Sequence, residues 1–296
     1  MTTFFSLTIA GFYAVLLSGL SPVSADAQVT SEIVFDAGGR PSAYVTLNDE
    51  AEYLFAIDTA AQRTTLGQRI VADLGLTPDP GDRAQVHGAA GVSYLDLYRL
   101  NSVELAGHRM EGGLYLSAAA HDDSALGHDG ILGQEFFAGP MLVFDFVDRT
   151  VSFGGSTMAG LGESLPVELM YGGFAITTIS IDGISTRALI DTGASESFAN
   201  RALMEALGLS ENDLSIEESF AGVTQQQSVR YTGYAGDVLL GAVMVDSVAF
   251  EFTDSPIFQT FGMSDQPAII LGMDVLGQLS GFAIDYLASE FRHLAD

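Results

Sequence analysis

An all-β chain folded as two similar lobes is the architecture this sequence predicts, and three observations carry the prediction. First, an apolar strand ending on Asp-Thr occurs twice, 133 residues apart, as residues 55–61 (FAIDTAA) and 188–194 (ALIDTGA). Second, each copy has an Ile-Leu-Gly downstream, at 131–133 and 270–272. Third, short runs of alternating apolar and polar residues, broken by Gly, Asn and Asp, dominate the rest of the chain, as expected of half-buried strands joined by tight turns.

The repeat holds element by element. A glycine follows Asp58 and Asp191 by 17 residues in both halves (Gly75, Gly208), by 30 and 31 (Gly88, Gly222), and by 49 and 50 (Gly107, Gly241). The glycine of each Ile-Leu-Gly follows at 75 and 81. An ordered set of this kind reads as an internal duplication. Residues 42–49 and 53–57 predict a hairpin turning at Asn48-Asp49-Glu50; residues 174–182 and 186–190 predict its counterpart, turning at Asp182-Gly183. A helix is expected after each motif, over 66–74 with Gly75 as terminator and over 198–207 with Gly208 as terminator. Residues 98–105 and 243–252 alternate as strands, and each half closes on an apolar strand bearing one acid, at 143–146 and 282–286. Residues 154–162 (GGSTMAGLG) form the best linker, so the lobes are placed at 28–160 and 161–296. Residues 28–40 read as a first strand, with Val29, Ile33 and Phe35 needing burial; a short removable segment is the other reading.

The 296 residues suffice for two domains with real cores. The charge is lopsided: 38 acidic residues face 11 basic ones, all Arg, for a net charge of -27. Such a surface disfavours nucleic acid and anionic lipid as partners. There is no Cys, which excludes disulfides, thiolate nucleophiles and cysteine metal sites. Residues 4–20 form an uncharged apolar run, and Ala25-Asp26-Ala27 offers an A-x-A cleavage pattern, so residues 1–27 are expected to be an export signal despite the missing positive n-region. An uncleaved membrane anchor and a buried strand pair are the competing readings. Export, to a bacterial periplasm or outside the cell, is the expected localisation.

Asp58 and Asp191 are the candidate catalytic pair. Two carboxylates brought together at matched strand ends cannot both ionise comfortably and share a proton. One then serves as general base on a water while the other polarises a carbonyl. A single such Asp would more simply cap a turn; the doubled set favours the pair. Thr59 and Thr192 are expected to fix the carboxylates, each hydroxyl bonding the main chain of the opposite half.

These features resemble the retropepsin-like aspartic peptidases, in a fused two-domain, pepsin-like form. The resemblance rests on Asp58-Thr59-Ala60-Ala61, Asp191-Thr192-Gly193-Ala194, the glycine-bearing segments near 88–91 and 222, and the two Ile-Leu-Gly elements. It implies a bilobed acid-protease fold of two homologous lobes about a pseudo-twofold axis, with Asp58 and Asp191 as the dyad of an aspartic endopeptidase. Thr59, Ala60, Thr192, Gly193, Gly133 and Gly272 would support the catalytic loops. It implies flaps near 85–97 and 219–232, with Gly88, Ala89, Ala90, Gly91, Tyr94, Phe220, Ala221 and Gly222 as substrate-binding candidates. A polypeptide would bind as an extended strand. No cofactor and no metal are expected, and one chain holding both halves would act as a monomer, with a homodimer as the alternative.

The first half departs from the family pattern, with Ala60 where Gly is expected. A left-handed backbone there would cost Ala60 about 1–2 kcal/mol; a negative φ would cost little. A catalytically inactive peptide-binding protein, with the dyad displaced at Ala60, is therefore the alternative function. Ala61 and Ala194 supply no hydroxyl to the aspartates, which favours a pH optimum nearer neutrality than in pepsins. His121 and His128 sit in an acidic loop that reads as solvated rather than as a metal site. Glu135 and Asp274, each two residues past an Ile-Leu-Gly, read as local caps or salt links.

Overall fold

The computed structural model describes residues 29–81, 83–88, 91–117, 127–137, 139–154, 161–221 and 226–294. They form a β-rich, bilobed structure. A seven-stranded sheet takes its strands from the first half, in the order Val34–Phe35, Pro41–Leu47, Ala51–Ile57, Gly130–Leu132, Thr65–Leu66, His108–Ser117, Leu97–Leu105. An eight-stranded sheet takes them from the second, in the order Glu168–Met170, Phe174–Ile181, Ile184–Ile190, Ala268–Leu271, Phe198–Ala199, Val243–Phe252, Gln226–Leu240, Ser215–Ala221.

A six-stranded sheet joins the halves. Its central pair is Met141–Asp145 against Gly281–Asp285, antiparallel with Val143 facing Ala283. Thr150–Phe153 and Thr30–Glu32 extend one side; Glu290–Leu294 and Leu161–Pro166 extend the other. The closing strands of the two halves are thus one another's neighbours. Phe144 and Phe282, with ring centroids 4.9 Å apart, are fully buried beneath them. A strand buried on both faces must be apolar throughout, which is why these runs lack alternation.

Local chemistry explains the hairpins before each Asp. Pro41–Leu47 pairs with Ala51–Ile57, and Asn48 and Asp49 take positive φ in the turn. Phe174–Ile181 pairs with Ile184–Ile190 across Asp182-Gly183, both at positive φ as a type I′ turn requires.

The expected helices are shorter than their apolar periodicity. They run over Gln68–Asp73 and Arg201–Ala206, while Leu66 and Phe198 lie in two-residue strands. Those strands pair antiparallel with the Ile-Leu-Gly strands, and this tertiary pairing overrides local propensity. In the second half Asn200 caps the helix by accepting from the Leu203 amide at 2.9 Å. The first strands need a smaller correction: Ile33 is buried, but Val29 is exposed. Leu161 and Gly162, assigned to the linker, begin the outer strand Leu161–Pro166; residues 155–160 lie outside the described set.

Candidate active site

Each half delivers its aspartate by the same construction. Ala51–Ile57 runs parallel to Gly130–Leu132, with Ile57 level with Leu132, and Ile184–Ile190 runs parallel to Ala268–Leu271, with Ile190 level with Leu271. The Asp58 amide donates to the Leu132 carbonyl and the Asp191 amide to the Leu271 carbonyl, both at 3.0 Å. A sheet interior thus fixes the main chain up to the carboxylates. Beyond them the loops turn tightly. Asp58 Oδ1 accepts from the Ala60 amide at 2.8 Å; Asp191 Oδ1 accepts from Gly193 at 2.9 Å and Ala194 at 3.1 Å.

The two loops are locked together through buried threonines. Thr59 Oγ1 donates to the Ile190 carbonyl at 2.8 Å and accepts from the Thr192 amide at 3.1 Å. Thr192 Oγ1 donates to the Ile57 carbonyl and accepts from the Thr59 amide at 3.1 Å. Both threonines are fully buried, so leaving any of these main-chain groups unpaired would cost about 1–3 kcal/mol. The position of each aspartate therefore depends on the other half.

Gly193 and Ala60 occupy equivalent places and are not equivalent in space. A β-carbon on Gly193 would lie 2.2 Å from Cγ and Oδ2 of Asp58, so a side chain is excluded there by the opposite carboxyl group. Ala60 is not at positive φ, so its methyl carries no left-handed strain, and it packs against the apolar cluster of Phe174, Phe258 and Phe261.

Both carboxyl groups are pushed above the ordinary carboxylate range. For Asp58 the main cause is burial, opposed by the Ala60 and Ala61 amides, the Arg40 charge and a hydrogen bond with Asp191. For Asp191 burial leads as well, and the neighbouring Asp58 charge adds to it, while the Gly193 and Ala194 amides oppose. Desolvation and like-charge proximity both favour one proton retained by the pair.

Behind the loops stands a support that sequence reading named only in part. The Gly133 amide donates to Thr64 Oγ1 at 3.1 Å and the Gly272 amide to Ser197 Oγ at 2.9 Å. Glu135 accepts from the Thr64 amide at 2.6 Å; Asp274 accepts from the Ser197 amide at 2.9 Å and hydroxyl at 2.6 Å. A β-carbon on Gly133 would meet main-chain atoms of Arg63 and Thr64 at 2.4–2.8 Å, and one on Gly272 would meet Ala194 and Glu196 at 2.9–3.0 Å. These glycines let the Ile-Leu-Gly turn touch the aspartate loop directly. The missed members, Thr64 and Ser197, each lie six residues past an aspartate, so the repeat itself carried the signal.

The flap candidates fall on hairpins. Ala84–Gly88 pairs with Gly91–Leu95, and Gly88 faces Gly91; Ala89 and Ala90 lie outside the described residues. Ser215–Ala221 pairs with the start of Gln226–Leu240, placing Phe220 opposite Gln227 and Ala221 opposite Gln226; Gly222 lies outside. Tyr94 is exposed. Arg230 is engaged by Glu251, and Tyr231 packs on the core beneath the Arg201 guanidinium.

His128 requires a correction: it is buried, not solvated. Its Nε2 lies 3.2 Å from Arg40 Nη2. Arg40 has only donors, so His128 accepts, and burial together with the Arg40 charge lowers its pKa and keeps it neutral. His121 lies outside the described residues. Among the described residues no group of three or more His, Asp or Glu is arranged to hold a metal ion, and no helix is long and apolar enough to cross a membrane.

Two buried carboxyl groups on interlocked loops, both pushed above the ordinary carboxylate range, are an arrangement suited to hydrolases that use acid–base chemistry on water. Comparison with protein-family models places the chain within that class: the model described as aspartyl protease matches residues 43–136 and 177–275. The chain belongs to the aspartyl protease family and is an aspartic-type endopeptidase. No match was found among curated proteins.

Proposed function

We propose that Asp58 and Asp191 are the catalytic dyad of this endopeptidase and hydrolyse a peptide bond with a water held between them. Asp58 begins ionised and Asp191 protonated. Asp58 takes a proton from the water as its oxygen attacks the scissile carbonyl carbon, and Asp191 gives its proton to the carbonyl oxygen. In the resulting gem-diol, one hydroxyl returns a proton to Asp191 while Asp58 protonates the leaving nitrogen and the C–N bond breaks. Both carboxyl groups end as they began, with no covalent intermediate.

The observation that carries this reading is the approach of Gly193 to Asp58 within the Thr59–Thr192 interlock, which ties both carboxylates to one place. The negative φ of Ala60 supports turnover over the inactive alternative. The proposal extends to two lobes, 28–160 and 161–296, related by a pseudo-twofold axis, with the polypeptide substrate extended between them beneath the 84–95 and 215–232 hairpins. One chain carries both halves, so a monomer suffices. Export as a periplasmic or secreted protein, after removal of residues 1–27, follows from the apolar N-terminal run. The test is peptidase activity of the purified protein on a mixed peptide library across pH 3–8, beside Asp58→Asn and Asp191→Asn. Cleavage abolished by either change is expected; cleavage surviving both would overturn the dyad.

A further inference from the structure

The two halves present matched aspartates in unmatched surroundings, and one of the differences is a cation. In the first half Ser42 faces Ala56 at the end of an antiparallel pair; Arg40 lies two residues before Ser42 and Asp58 two residues after Ala56, and the Arg40 charge acts on Asp58. In the second half Ile176 faces Leu189, and the residue two places before it is Phe174. Phe174 is buried among Phe258, Phe261 and Met263, with its ring 5.1 Å from that of Phe261. The strand paired with that of Asp58 is thus preceded by an arginine, whereas its counterpart in the second half begins on a phenylalanine of an aromatic cluster.

Arg40 is held from several sides. Its Nε donates to Asp36 Oδ2 at 2.7 Å and its Nη2 lies 2.6 Å from the same oxygen, while the Asp36 side chain is fully buried. Its Nη2 also donates to neutral His128. The loop bearing Arg40 reaches the other half: a β-carbon on Gly38 would lie 2.3 Å from Ser195 Oγ, four residues past Asp191. The guanidinium is immobilised, desolvated and charged at every working pH.

We propose that Arg40 is a positioning residue for the dyad: held by Asp36 and His128 at the end of the strand paired with that of Asp58, it sets the two carboxyl groups apart and selects Asp58 as the base. The inference rests on the dyad proposed above. A symmetric pair of carboxyl groups would share its proton evenly and present two half-competent orientations of the water. A fixed cation on one side removes that degeneracy. The charged and titratable groups in this neighbourhood are Arg40, Asp36, His128 and Asp129 from the first half, with Asp191 across the interlock. Arg40 opposes the rise at Asp58, whereas at Asp191 the neighbouring charge that acts is the anion of Asp58. Asp36 partly offsets the cation, and this sets the direction of each variant.

The experiment is a titration of the aspartate side chains by carbon-13 NMR on the intact protein, with Asp58→Asn and Asp191→Asn assigning the dyad. The pH dependence of kcat/KM is followed in parallel. The double variant Asp36→Asn/Arg40→Gln keeps hydrogen-bonding groups in both places and removes both charges. It is expected to raise the Asp58 midpoint by about one pH unit, with about tenfold lower kcat/KM on the acid limb. Asp36→Asn alone leaves the cation unopposed and is expected to move Asp58 the other way; Arg40→Lys stays near wild type. An Asp58 midpoint unmoved by the double variant, or unmoved by Asp36→Asn should the double variant not fold, overturns the inference. So does an equal shift of both aspartates. The NMR readout stands apart from turnover: an Arg40-dependent titration in a protein that cleaves nothing would remove the catalytic reading and sustain this one.

Discussion

The α-carbon of Gly193 faces the carboxyl group of Asp58 so closely that a β-carbon there would lie 2.2 Å from both Cγ and Oδ2. Gly193→Ala is therefore expected to push the Asp58 carboxylate out of place while leaving both sheets intact. Displacement near 1 Å costs on the order of a hundredfold in rate. Steady-state kcat/KM with an unchanged circular dichroism spectrum checks it; activity within threefold of wild type would contradict it.

Ala60→Gly should do little to turnover, because the backbone there is not at positive φ. The loss of the methyl and the added freedom of the unfolded chain should cost about 0.5–1 kcal/mol of stability. Urea denaturation beside kcat/KM separates the two effects. The contrast between the equivalent positions 60 and 193 is the informative result.

Thr59→Val removes a buried donor to the Ile190 carbonyl and a buried acceptor for the Thr192 amide. Two orphaned main-chain groups predict a loss of about 2–6 kcal/mol. Thr59→Ser retains the hydroxyl and should recover most of it. A denaturant midpoint for Thr59→Val equal to wild type would show that the interlock adds nothing.

Ser197→Ala leaves the Gly272 amide without its acceptor and Asp274 without its hydroxyl donor. The expected cost is about 1–3 kcal/mol. Thermal melting at a fixed pH reads it, with Ser197→Thr, which keeps the hydroxyl, as the control.

Asp191→Asn should change the pH dependence of stability in a definite direction. Burial and the Asp58 charge raise the folded-state pKa of Asp191 well above its unfolded value. The folded protein thus retains a proton that the unfolded chain releases above about pH 4, and stability falls as pH rises through that window. Asparagine has no proton to lose. Its melting temperature should match or trail wild type at pH 3 and exceed it at pH 7. A constant offset between the two curves would contradict the assignment.

The paired aspartates, their threonines and the Ile-Leu-Gly elements were legible because duplication writes the same offsets twice, and a chance match would not preserve order. The hairpin turns were legible because Asn48-Asp49 and Asp182-Gly183 suit the positive φ their geometry requires. The helices were overdrawn because Leu66 and Phe198 fit a helical period as well as a two-residue strand, and only a partner strand distinguishes these. His128 read as solvated because acidic neighbours in sequence suggest water; a buried position beside Arg40 depends on a residue 88 places away.

By itself the sequence determined the repeated strand-Asp-Thr units, the glycines on which the turns depend, the absence of cysteine chemistry and the family resemblance. These are local or periodic properties, and local chemistry writes them directly into the chain. Only the tertiary structure decided which halves share a sheet, why position 193 must be glycine while position 60 tolerates alanine, and where the Arg40 guanidinium comes to rest. Each of those depends on distances between residues far apart in the chain, and they are set only when both lobes pack and their buried polar groups find partners.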